Sequence, residues 1–84
     1  MAVTVHLPAM LRRGSADTVT ISAPVRTMGE LIAALEQAVP GIAADLDDSV
    51  FNYAVNDEML LHGVKQHPVK DGDHVEIVPA ISGG

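Results

Sequence analysis

Cysteine is missing from this sequence altogether. Its absence excludes a disulfide staple, a thiolate nucleophile and any cysteine-based metal site, and it is compatible with a reducing cytosol. Tryptophan is missing too, and Phe51 and Tyr53 are the only Phe and Tyr residues, so the core must be aliphatic. No stretch approaches the roughly 20 apolar residues of a membrane-spanning helix. The opening Met1-Ala2-Val3-Thr4-Val5-His6 lacks the basic start and apolar run of a secretory signal, so a cytoplasmic protein is expected. Basic residues are scarce: five Lys and Arg against eleven Asp and Glu give a formal net charge of −6. That balance argues against binding nucleic acid and suits either a basic protein partner or simple solubility.

What remains is a chain of 84 residues, 48% hydrophobic and 19% charged. It is long enough for one small domain and too apolar to stay disordered. A core of this size leaves little room for a deep, dry active-site cavity. It suits a protein that is handled by others better than one that encloses a substrate.

Val3, Val5 and Leu7 alternate with Thr4 and His6, the period of a strand with one apolar face, and Pro8 ends it. After the polar turn Arg12-Arg13-Gly14-Ser15, Val19 and Ile21 alternate with Thr18, Thr20 and Ser22, which predicts the second strand of an antiparallel hairpin. The period changes at Thr27. Met28, Leu31, Ile32, Leu35, Ala38 and Val39 recur at helical spacing, and Thr27 with Glu30 fits a capping box. Pro40-Gly41 stops the helix. Residues 42–48 read as an irregular turn or one helical turn anchored by Ile42 and Leu46. Phe51, Tyr53 and Val55 predict a third strand sharing one face. Asn56-Asp57 is a turn signal, Met59–Leu61 a short edge strand, and Lys70-Asp71-Gly72-Asp73 a tight turn. His74–Val78 is the last strand, with Val75 and Ile77 on one face. One helix cannot bury two sheets, so the expected class is α+β, with a mixed sheet of four to five strands wrapped over one helix.

This order resembles the ThiS/MoaD family of sulfur carriers, which have the ubiquitin-like β-grasp fold. The resemblance covers essentially the whole chain and is most specific at its end, where Asp71-Gly72-Asp73 is followed by an apolar strand, Pro79 and a terminal Gly83-Gly84. The opening Val3–Pro8 and the segment Tyr53–Glu58 also resemble family positions. Pro79-Ala80 and Val55–Glu58 are most similar to the carriers that feed cysteine synthesis.

The resemblance implies a β-grasp domain over residues 1–78 and a flexible tail over 79–84. It implies that an E1-like partner uses ATP to adenylate the Gly84 carboxylate, and that a persulfide or sulfide then displaces AMP to leave a thiocarboxylate. The sulfur would pass to an acceptor enzyme of cysteine synthase, thiazole synthase or molybdopterin synthase large-subunit type. On this reading the protein is a cosubstrate and not an enzyme, and it binds no cofactor of its own.

The tail Pro79, Ala80, Ile81, Ser82, Gly83 and Gly84 suits that cycle. Six extended residues reach roughly 20 Å at about 3.3 Å each. Glycine fits a narrow channel, no side chain after Glu76 is charged, and Pro79 stiffens the exit from the strand. Docking candidates are Val78, His74, Glu76 and His6, together with Ile81. His6 and His74 alternate with core positions and should face outward.

The blander readings are a frayed terminus for the tail, turn and surface chemistry for Asp57, Glu58, Asp71, Asp73 and Glu76, and a buried core for the helix stripe. His6, His62, His67 and His74 show no short ligand spacing, so no metal site is expected. Neither a nucleophilic serine motif nor a phosphate-binding glycine loop is present. Other functions compatible with this fold are the small subunit of molybdopterin synthase, a ubiquitin-like modifier joined to lysines through Gly84, and an interaction domain with an inert tail.

Overall fold

In the computed structural model, residues 2–11, 16–48 and 51–80 are described. A five-stranded mixed sheet carries two helices. The strands are β1 (Val3–His6), β2 (Thr18–Ile21), β3 (Phe51–Val55), β4 (Glu58–Leu60) and β5 (His74–Pro79); the helices are α1 (Met28–Ala38) and α2 (Ile42–Asp48). The order across the sheet is β2-β1-β5-β3-β4. The first and last strands lie side by side at its centre and run parallel, with Val5 opposite Val75. Every other pairing is antiparallel.

Period-2 alternation drives Val3, Val5, Ile21, Val75 and Ile77 into the core. The helix stripe Met28, Leu31 and Leu35 joins the same cluster, each residue 1% exposed or less. Burying side chains of this kind stabilises by about 1.5–3 kcal/mol apiece. This is the ubiquitin-like β-grasp arrangement expected from the element order.

Several local features depart from expectation. The Thr27 hydroxyl accepts from the Glu30 N–H at 3.2 Å, as a capping box requires, but the Glu30 carboxylate accepts from the Arg26 N–H at 2.7 Å and not from Thr27. The entry to the helix is extended and bridged to Pro68, which brings the Arg26 N–H within reach. The segment after Gly41 is a seven-residue helix, where at most one turn was expected. Glu36 on α1 accounts for it: its carboxylate accepts from the N–H groups of Gly41 and Ala43 at 2.8 and 2.9 Å, so a neighbouring element caps α2. Ile42 and Leu46 anchor it in the core, as expected.

The third departure is at β4, which begins at Glu58, one residue early. Asn56 and Asp57 take positive φ of 50° and 71°, which makes a two-residue hairpin turn and restarts pairing at once, with Val55 opposite Glu58. Leu61 falls outside the strand. A short 3-10 turn at Val64–Gln66, not foreseen, fills the connection to β5. At the other end, β5 runs one residue further than expected, to Pro79 opposite Phe51.

Candidate functional site

The turn before β5 fixes the whole site. Gly72 has φ +88°, and the Asp73 N–H closes the turn onto the Lys70 carbonyl at 3.1 Å. The Gly72 N–H donates to the Ala2 carbonyl at 2.8 Å and the Ala2 N–H donates to the Asp71 carboxylate at 2.6 Å, which ties the turn to the start of β1.

Asp73 is the one buried charged residue among those described, 5% exposed. Its Oδ2 accepts from the Lys70 N–H and its Oδ1 from Asn56 Nδ2, both at 2.9 Å. Asn56 in turn accepts from the His74 N–H at 2.9 Å, and its own N–H donates to the His74 carbonyl at 2.7 Å. The β3–β4 turn and the β5 turn are thereby locked together, and β5 starts in a fixed register.

The four docking candidates lie on one surface. His74, Glu76 and Val78 alternate with the buried Val75 and Ile77 and so occupy the outer face of β5; His6 on β1 is the register partner of Glu76. His6, His74 and Glu76 are exposed, and Val78 is half-buried. Thr4, Thr18, Thr20 and Asn52 extend this face on the neighbouring strands. It is polar, and neither helix covers it.

The strands beside β5 end at different points. β1 accompanies β5 only to Glu76, and β3 accompanies it to Pro79, where proline supplies no N–H for a further rung. Ala80 follows, half-buried and outside any strand. Ile81, Ser82, Gly83 and Gly84 lie outside the described residues.

Two relationships in this site were not visible in the sequence. The imidazoles of His6 and His74 stack, with ring centroids 5.7 Å apart and His6 Nε2 3.4 Å from His74 Nδ1. They are 68 residues apart in the chain, and only the parallel pairing of first and last strands brings them together. The burial of Asp73 was likewise unforeseen, because its partner Asn56 belongs to a different turn. Among the described residues no group of three or more His, Asp and Glu is placed to hold a metal ion, and no helix is long and apolar enough to cross a membrane.

The strand order, with the first and last strands parallel at its centre, defines a protein of the ubiquitin-like β-grasp class. Residues 5–84 match the ThiS family, and the chain belongs to it. It is 36% identical over 93 aligned positions to the sulfur carrier protein CysO of Mycobacterium tuberculosis, with both chains covered completely. A chain in the crystal structure of the Amycolatopsis orientalis BexX/CysO complex superposes with a TM-score of 0.80 at 36% identity, covering 99% of this chain and all of that one. A chain from the complex of subunits 1 and 2 of the Helicobacter pylori molybdopterin-converting factor superposes at 0.67 with 25% identity, both chains being covered completely.

Proposed function

We propose that this protein carries sulfur as a thiocarboxylate on Gly84 and delivers it to a biosynthetic acceptor enzyme. The observation that carries the reading is full-length similarity to a protein named as a sulfur carrier, within a family match that runs through Gly84.

In the proposed cycle an E1-like partner binds ATP, and a Gly84 carboxylate oxygen attacks the α-phosphorus. Pyrophosphate leaves and an acyl adenylate remains. Hydrosulfide then attacks the acyl carbon, AMP departs with the C–O bonding pair, and a thiocarboxylate is left. Its sulfur is a stronger and softer nucleophile than the carboxylate oxygen it replaces. The acceptor takes the sulfur, and hydrolysis restores the carboxylate.

The fold supplies what such a cosubstrate needs. The sheet presents a face that neither helix covers, and the last paired position among the described residues is Pro79, five residues before Gly84 in sequence. That length of extended chain spans roughly 17 Å, enough to reach into a partner whose surface holds the sheet. ATP is bound by the partner. The 36% identity to CysO against 25% to the molybdopterin-converting-factor chain favours an acceptor of the cysteine-forming type.

The first step is tested by ATP–pyrophosphate exchange with a candidate activating enzyme. Exchange that depends on this protein and is lost on deleting Gly84 supports the proposal. Exchange that persists without Gly84 contradicts it.

A further inference from the structure

The two edges of the sheet are finished differently. β4 opens on the charged Glu58 and ends at Leu60. A short strand bearing a charge discourages pairing with another chain. β2 bears none: from Thr18 to Val25 no side chain is charged, and Thr18, Val19, Thr20 and Ile21 are all β-branched. We propose that this edge pairs with the same edge of a second copy, joining two sheets into one across a two-fold axis.

The backbone is arranged for it. The Leu7 N–H donates to the Asp17 carbonyl at 2.8 Å, and Val5 stands opposite Val19. Bonded pairs alternate along an antiparallel ladder, so Val19 and Ile21 turn their backbone groups toward β1, while those of Thr18 and Thr20 point away from it. β2 ends the sheet, and no described strand pairs with that outer side. Such a row of N–H and C=O groups is a template for a further strand.

The edge is complementary to itself. With the axis at Thr20, the two Thr20 residues exchange N–H···O=C bonds, and Thr18 of each copy faces Ser22 of the other. Val19, half-buried, then lies opposite Ile21 of the second copy. An open groove beside the edge gives it room: Ile21, Ala23, Ala34 and Ala38 are among its lining residues, and the small alanine side chains leave space between β2 and α1. No like charges meet along the edge, because Asp17 stands opposite Ala23. The axis runs perpendicular to the sheet, so both outer faces stay uncovered, and the pairing does not depend on the carrier reading.

Contact area sets the strength. Stable dimers bury about 1,200–2,000 Å² in total, and one strand edge with one shallow groove covers less. A net charge of −6 on each copy adds repulsion at longer range. The dimer is therefore reversible, formed at high concentration and favoured by salt.

Sedimentation equilibrium of the full-length protein, from micromolar to millimolar concentration, tests this. The mass is expected to rise from 8.8 kDa toward twice that value, and further at higher salt. Amide exchange at Thr18 and Thr20 should slow with concentration, while the β4 amides stay unchanged. Thr20→Pro removes an outward-pointing N–H, and Thr20→Lys sets like charges across the axis. Both variants should stay monomeric, with circular dichroism confirming that they are folded. Leu61→Lys, at a position 84% exposed beside the opposite edge, should dimerise as the parent does. A monomer at every concentration overturns the proposal and leaves the edge to an extended segment of another protein. So do dimers that persist in both Thr20 variants, or a dimer lost in folded Leu61→Lys.

Discussion

Asn56 Nδ2 donates to Oδ1 of the buried Asp73 at 2.9 Å, a side-chain bond between the two turns that set the register of the last strand. Replacing Asn56 by alanine leaves a buried carboxylate oxygen and the His74 N–H without these partners. The expected loss is about 1–3 kcal/mol, read as a lower urea midpoint at unchanged slope. Asp73→Ala should cost a similar amount. The double variant should lose less than the sum of the two, with a coupling of about 0.5–3 kcal/mol. Strict additivity would mean that the bond does not couple the turns.

Gly72 separates conformational from steric cost. A Cβ there meets nothing within 4 Å, yet φ is +88°. Gly72→Ala is therefore expected to destabilise by about 1–2 kcal/mol through backbone strain alone. Thermal unfolding measures the loss. A neutral effect would show that the turn relaxes to negative φ.

Core and surface leucines should respond in opposite ways. Leu35 is 1% exposed in the middle of the α1 stripe, and Leu61 is 84% exposed beyond β4. Leu35→Ala is expected to cost about 2–5 kcal/mol, most of the stability available to a chain of this length. Leu61→Ala should stay within about 0.5 kcal/mol. Denaturant melts of both variants test the contrast.

A docking role for the outer sheet face, part of the proposed function, carries a kinetic prediction. Reversing an exposed charge on it, as in Glu76→Arg, should slow association with the activating enzyme by several-fold while leaving the melting temperature nearly unchanged. The effect should shrink as salt is raised. An unchanged association rate would place the docking surface elsewhere.

Much of this was legible in local sequence, and most of what was missed depends on contacts between separate elements. Alternation at Val3–Val5 and Val75–Ile77, the stripe Met28–Leu31–Leu35 and the Gly72 turn each declare themselves within a few residues. The helix after Gly41 does not, because Glu36 caps it from another element. The pattern of residues puts the start of β4 one residue late, because Asn56 and Asp57 both adopt positive φ and pairing restarts at Glu58. Asp73 reads as one more turn aspartate until Asn56 is brought beside it. His6 and His74 each read as outward-facing, as they are; their contact follows only from strand order. Of the candidate tail, Pro79 and Ala80 are placed at the end of the sheet, and Gly84 rests on the family match and on chemistry.

The proposal that Gly84 bears sulfur is tested most directly by intact-mass and fragment-ion analysis of the protein after incubation with a cognate activating enzyme, ATP and sulfide. The account predicts a mass increase equal to one oxygen-to-sulfur exchange, confined to the fragment holding Gly84 and absent when ATP is omitted. An unmodified Gly84 carboxylate under those conditions, in a protein shown to bind that enzyme, would contradict it.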